Sequence, residues 1–268
     1  MIALALPATN EGGFVPPAIE EMHLPEIFPW GAEYGTGVGK QMLLVVLSVI
    51  IIAVIFVRAS RQGKLVPGRL QFLGEFGYGF VRNGIAKDVI GERDFLKFVP
   101  FLFALFFFII VNNIYGAIPF IQLPSFSHPG GAYLLAAIVY FTWIGVGIKK
   151  HGMKYFVKAT VPSGVPWYIL PVLVPIEIIS NFLVRPITHS LRLFATMMSG
   201  HLIIMLAGAG IEYLLVLQDN ILLQASSVLV LGGGIAMYML EALIMVLQAY
   251  VFTLLTAIYI QGALADDH

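Results

Sequence analysis

The chain has no cysteine at any of its 268 positions, which excludes disulfides and thiolate chemistry while leaving the compartment open. It is also poor in charge: 11% of its residues are Asp, Glu, Lys or Arg, against roughly 25% in a typical soluble domain. Fifteen basic residues balance fifteen acidic ones, so no net charge invites nucleic acid or an acidic surface. Neither a Gly-rich loop ending in Gly-Lys-Ser/Thr nor a His-Glu-x-x-His pattern occurs, and Gly232-Gly233-Gly234 has no following phosphate-binding lysine. The expectation is a chain with no catalytic site, no metal site and no cofactor of its own, its glycine triplet serving close packing or bending. No internal repeat is visible, which weighs modestly against transporters built from inverted repeats.

What is present is apolar: 59% of residues are hydrophobic and the mean hydropathy is +0.90. Lipid is the expected solvent. Residues 42–57 form one apolar run, slightly short for a hydrocarbon core about 30 Å thick unless its flanks contribute, with Lys40 and Arg58 placed to snorkel. A second run begins near Phe98, is interrupted by Asn112 and Asn113, and should close at Pro119. A third, 131–148, ends before Lys149 and Lys150. From Val172 to Leu217 and from Ile221 to Ile260 the chain stays mostly apolar, yet Glu177, Arg185, Arg192, His201 and Glu241 lie inside. Forty helical residues span about 60 Å, so such helices must tilt, overhang the bilayer or break.

The fold class predicted is an all-α polytopic membrane protein with about five crossings. Two long tilted C-terminal helices should form an antiparallel hairpin at about residues 172–262. Between the first two crossings, Leu70, Leu73, Gly77, Phe80, Val81 and Gly84 share one helical face and Gln71, Glu75, Arg82 and Asp88 the remainder. That pattern suits an interfacial amphipathic helix. A linker weakened by Gly74, Gly77, Gly79 and Gly84 is the other reading.

Residues 1–40 carry Glu11, Glu20, Glu21, Glu26 and Glu33 against Lys40. The charge order is wrong for a secretion signal, and Pro16, Pro17, Pro25 and Pro29 limit helix there. The expected division is an acidic extracytoplasmic segment over 1–40 and a helical membrane domain over 41–268. Basic residues concentrate between Arg58 and Lys97 and again at Lys149, Lys150, Lys154 and Lys158, whereas 120–130 and 208–224 contain none. The positive-inside rule then places those basic connections in the cytoplasm, the N-terminus outside and the C-terminus inside a cell inner (plasma) membrane.

On a helix through 177–205, Asn181, Arg185, Thr188, Thr196 and Ser199 all fall within about 40° of Arg192, and Glu177 and His189 lie about 60° away. Pro186 should bend this helix. His201 lies on the face opposite Arg192, about 13 Å further toward the outside. Antiparallel neighbours at equal depth have residue numbers of constant sum: Arg192 with Gln248 gives 440 and His201 with Glu241 gives 442. Arginine in hydrocarbon is costly and does not neutralise, so Arg192 demands a polar cavity or a carboxylate. Glu241 and His201 are types that burial and a neighbour bring toward neutrality, so they can exchange protons. They suggest a wet outer half-channel, with Glu177 in a separate inner one. Several bland readings stay open at this point: Arg192 as a structural ion-pair partner, Arg185 as a snorkelling side chain, His201 and Glu241 as a closed pair, Gln248 as helix–helix glue, and His189 and His128 in ordinary polar contacts.

Ser190-Leu191-Arg192-Leu193-Phe194-Ala195 resembles the Leu-Arg-Leu-Phe signature around the stator arginine in the a-subunit family of F-type rotary ATP synthases. His201 and Glu241 match the family's Glu/His pair in exchanged order, Gln248-Ala249-Tyr250 is similar to its Gln-Ala-aromatic segment, and Asn113 to Pro119 looks like its Asn-x-x-Gly-x-x-Pro helix end. The match covers about residues 40–262 and suggests a bacterial, actinobacterial-like member. It departs at Thr196, where Asn is common, and at Glu177, one residue farther from Arg192 than expected. The resemblance implies two offset half-channels serving the carboxylates of a c-subunit ring, with peripheral-stalk b subunits, the rest of the F-type ATP synthase and lipid as further partners. Arg192 would be the stator charge; His201, Glu241, Gln248, Glu177, Arg185 and Thr196 would form the proton pathway. The alternative is a stand-alone ion channel or secondary transporter with an intramembrane Glu/Arg/His path, and sodium is possible in place of protons.

Overall fold

The computed structural model describes residues 40–61, 67–118, 129–161, 168–216 and 220–265. The acidic segment expected over 1–40 lies outside them apart from Lys40, as do Pro119 and His128. The described residues are helical in nine α-segments: α1 (Lys40–Arg61), α2 (Arg69–Val81), α3 (Asp88–Ile90), α4 (Phe95–Ala117), α5 (Pro129–His151), α6 (Lys154–Thr160), α7 (Leu170–Ile178), α8 (Arg185–Val216) and α9 (Ile221–Leu264). A π-helical turn, Arg82–Lys87, fuses α2 to α3, and another, Ile179–Val184, fuses α7 to α8. Five segments are long and apolar enough to cross a membrane: Met42–Arg61, Phe95–Gly116, Gly130–His151, Leu170–Leu215 and Ile221–Leu264.

The short apolar run at 42–57 becomes adequate because its flanks do join the helix. The α1 helix has 22 residues, or about 33 Å. Two asparagines of α4 that the apolar run could not otherwise hold join it to two neighbours: Asn112 Nδ2 donates to Ser48 Oγ of α1 at 2.9 Å, and Asn113 Nδ2 donates to the Met245 carbonyl of α9 at 2.9 Å. Inside a bundle such bonds contribute about 0.6 to 2 kcal/mol each.

The α9 helix supplies the central seam. Beyond Ser227 its buried residues are Glu241, Met245, Gln248, Ala249, Phe252, Thr253, Thr256, Ala257, Ile260 and Ala263, singly or in adjacent pairs at three- and four-residue intervals, which is one stripe of a helix. That period puts Glu241 and Gln248 on the packed side. The small residues Ala249, Ala257 and Ala263 let neighbours approach closely. Val99, Leu102 and Ile109 of α4 and Val139 and Trp143 of α5 complete the core around it. At one end, Lys150 of α5 donates to the Leu264 carbonyl of α9, placing a cation where the helix's unsatisfied carbonyls carry partial negative charge.

Two expectations about local geometry change. In the helix from Arg69, the packed side is Gln71, Gly74, Gly77 and Val81, while Leu70 and Leu73 are exposed. Hydrophobicity does not choose the face, since Leu70, Phe72, Leu73 and Phe76 are all exposed; small size does. A methyl on Gly77 would lie 2.6 Å from Phe107 of α4, and one on Gly74 2.9 Å from the Ala59 Cβ of α1. The second change concerns Pro186. The irregularity falls one turn earlier, in the π-helical turn Ile179–Val184, which holds Phe182, whose carbonyl a proline at 186 cannot bond and would crowd.

Candidate functional site

The α8–α9 pair is an antiparallel hairpin whose register is fixed by contacts along its length. His189 stacks on Phe252 with ring centroids 3.7 Å apart. Gly200 faces Glu241, Gly234 lies 3.3 Å from the Ala207 Cβ, and Gly210 lies 3.7 Å from Val230 Cγ1, each measured from a Cβ built on the glycine. The residue numbers of all four pairs add to 440 or 441, so the interval read from the sequence holds from 189 to 210. Gly234 is also the member of the glycine triplet that packs closely.

At the Glu241 level the hairpin encloses a cavity of about 100 Å³ lined by Thr196, Ser199, Gly200 and Ile203 of α8 and Met237, Leu240, Glu241 and Ile244 of α9. Glu241 is 7% exposed, and its Oε2 has no hydrogen-bond partner among the described residues. Thr196 Oγ1 donates to the carbonyl of Arg192 at 2.7 Å, the usual arrangement of an intrahelical threonine. His201 is also buried, at the same level but turned away by one helical step, and no hydrogen bond joins it to Glu241 among the described residues.

Arg192 and Gln248 share a level, and no hydrogen bond joins them among the described residues. Gln248 is buried, its amide nitrogen unpartnered. Arg192 is exposed on the outer face of the hairpin, and no ion pair or hydrogen bond of its guanidinium occurs among the described residues. Leu191, Leu240, Leu243 and Leu247 are exposed on the same two helices, as are Thr188 and Ser199 on the side of α8 that carries Arg192.

Glu177, Asn181 and Arg185 are brought together around a second, larger cavity of about 480 Å³. Asn181 Nδ2 donates to Glu177 Oε2 at 2.9 Å and to the Ala159 carbonyl of α6 at 2.7 Å. The Arg185 guanidinium lies over Trp143 at 5.8 Å and Tyr259 at 5.6 Å, a cation–π arrangement worth about 0.5 to 2 kcal/mol. Arg185 thus rests against these two rings at the wall of the cavity. The sequence reading missed the partners on other helices: Trp143, His151, Tyr155, Lys158 and Gln261 also line this cavity. Burial raises the Tyr155 hydroxyl above the ordinary tyrosine range, so it remains a donor there.

The two cavities lie on opposite sides of Arg192 along α8, the lining residues Arg185 and Thr196 being about 16 Å apart on the helix. Among the described residues no cluster of His, Cys, Asp and Glu suited to a metal ion occurs. The arrangement can therefore hold and pass protons at two separated sites around one permanent charge.

Comparison with known proteins finds similarity along nearly the whole chain. The family model described as ATP synthase A chain matches residues 42–261. A protein of Pseudarthrobacter chlorophenolicus called ATP synthase subunit a is 74% identical over 269 residues, covering 100% of both chains. Its counterpart in Paenarthrobacter aurescens is also 74% identical over the full length of both. One from Streptomyces lividans is 40% identical over 236 residues, covering 85% of this chain and 80% of its own.

Proposed function

Because this chain belongs to the ATP synthase A chain family, the multi-pass, proton-translocating stator subunits of F-type ATP synthase, we propose that Arg192 is the fixed charge past which protons reach and leave a ring of c subunits. The chain is a non-catalytic member of that complex. The observation that carries the reading is the exposed guanidinium of Arg192, which has no ion pair or hydrogen bond among the described residues. An intramembrane arginine stays charged and needs a partner. The described residues offer none, and in this reading a ring carboxylate supplies the required charge. A stand-alone channel would leave this cation facing hydrocarbon.

The two cavities give the path its two halves. Protons enter through the side containing His201 and the Glu241 cavity, with Thr196 between Glu241 and Arg192, and neutralise a ring carboxylate. After rotation the carboxylate returns, and Arg192 favours its deprotonated form, releasing the proton toward Glu177, Asn181 and Arg185. Gln248 supports the hairpin at the level of the charge. Arg192 separates the halves electrostatically, so a proton does not cross without the ring.

The end carrying Lys149, Lys150 and the C-terminus faces the cytoplasm in this reading, in accordance with the positive-inside rule. Residues 1–40 then form an extracytoplasmic acidic segment and 41–268 the membrane domain, in a plasma membrane. Peripheral-stalk b subunits complete the stator.

The test is Arg192→Ala in the purified complex, with subunit content, passive proton flux and ATP synthesis measured under one imposed gradient. Assembly with loss of coupled synthesis is expected, and Arg192→Lys should restore little because a mobile point charge replaces a planar multidonor group. Substantial coupled synthesis by the assembled Ala variant overturns the proposal.

A further inference from the structure

His189 takes no part in the path described so far, yet it is 3% exposed and neither of its ring nitrogens has a hydrogen-bond partner among the described residues. Its ring stacks on Phe252 and meets Tyr259 at 5.7 Å, with the planes at 66°. Tyr259 and Arg185 both line the 480 Å³ cavity, and Arg185 is one turn from His189 on α8. Arg192 follows three residues later on the other side. His189 therefore occupies the level between the wall of the larger cavity and the exposed arginine.

Packing alone is a poor account of this residue. A neutral imidazole has one N–H donor and one bare acceptor nitrogen. Leaving both without partners loses the hydration of two polar groups for no return, whereas phenylalanine would stack on Phe252 without that cost. Buried polar atoms are ordinarily satisfied by protein or by ordered water. Tyr259, which His189 meets, lines the larger cavity.

We propose that His189 is the final proton relay between Arg192 and the cavity around Glu177. The inference rests on the two-cavity reading above. Water from the cavity reaches one ring nitrogen, and the other serves the region beside Arg192. A proton released there forms an N–H bond at the bare nitrogen as the N–H bond at the other nitrogen breaks, passing its proton to cavity water. The ring's charge is the same before and after while its tautomer changes, and water-mediated transfer of the remaining N–H proton from one ring nitrogen to the other restores the starting tautomer. A concerted exchange is required by the surroundings: Arg185 and Arg192 flank the ring, Glu177 is the carboxylate of the cavity, and a lasting imidazolium between two guanidiniums would be repelled.

The absence of native cysteine in this chain makes the site addressable in the intact enzyme. His189→Cys and, as a cavity-lining control, Lys158→Cys are placed singly in the complete ATP synthase, in inverted membrane vesicles, and treated with silver ion. Reaction of both positions is expected. Reaction at 158 alone overturns the relay while leaving the cavity intact, and reaction at neither removes the cavity reading on which the relay rests. In the same vesicles His189→Phe, which keeps the stack, should lower proton-driven synthesis about tenfold at normal subunit content. It should also raise the solvent deuterium isotope effect, with His189→Gln recovering part of the rate. Full activity of the Phe variant with an unchanged isotope effect overturns the proposal.

Discussion

Gly200 is the surface against which the Glu241 side chain rests: a methyl group at Gly200 would lie 2.6 Å from Glu241 Cδ and 2.9 Å from its Cγ. Glycine here is a matter of space between two helices. Gly200→Ala should therefore push the carboxylate into the adjoining 100 Å³ cavity or force the helices apart, at a cost of about 1 to 3 kcal/mol. Gly208, with nothing within 4 Å of a built Cβ, is the control. Proton-driven ATP synthesis should fall in Gly200→Ala and stay near normal in Gly208→Ala, with both complexes assembled. Equal activity of the two would remove Gly200 from the determinants of the Glu241 position.

Glu241 and His201 share a depth but no hydrogen bond, so any coupling between them runs through the space around them. Glu241→Gln keeps the shape and removes the titrating group; His201→Ala removes the imidazole. Each should reduce proton flux in reconstituted complexes. As consecutive steps of one path, their losses should not multiply, and the double variant should be little worse than the more severe single one. Multiplicative losses would mean two independent routes.

The hairpin register was legible in the sequence because an α-helix has one period and an antiparallel neighbour a constant sum, so Arg192, Gln248, His201 and Glu241 identified their own levels. Their side-chain directions were less accessible. A register one residue wide separates Gly200 from His201, and that step decides which of them meets Glu241. The side of α2 that packs was obscured because its apolar residues surround the helix and the contacts are chosen by Gly74 and Gly77. The π-helical turns leave no mark of their own, since the same residue types form α-helix. The larger cavity was half visible: Glu177, Asn181 and Arg185 lie on one helix and share a face, whereas Trp143, His151, Tyr155 and Tyr259 come from helices distant in sequence. Only packing brings them together.

Orientation is open to direct measurement for the same reason that the relay is: every cysteine introduced will be the chain's only one. Ser125→Cys and Gln218→Cys should react with an impermeant thiol reagent from the extracytoplasmic side, and Met153→Cys and Asp267→Cys from the cytoplasmic side. Met153 is 77% exposed and lies between Lys150 and Lys154, so it reports on the basic connection itself. Labelling of position 153 from outside would reverse the topology and with it the assignment of the two cavities to inner and outer paths.

Asn181 holds two elements with one amide group, donating to Glu177 Oε2 at 2.9 Å and to the Ala159 carbonyl at 2.7 Å. Ala159 is in the last turn of α6, where carbonyls lack intrahelical donors, so the amide both closes that helix and orients the carboxylate. Asn181→Leu preserves volume but removes both part-buried bonds, a loss of about 1 to 3 kcal/mol. Asn181→Asp should be worse, because an acceptor then faces a carbonyl and a second carboxylate. The expected order of thermal stability in the purified complex is the native chain, then Leu, then Asp. A double-mutant cycle with Glu177→Gln separates the two bonds: coupling of about 0.5 kcal/mol or more assigns part of the loss to the Glu177 contact. If Asp is as stable as the native chain, the amide is not the donor at this junction, and the position of Glu177 must be set by the π-helical turn that follows it.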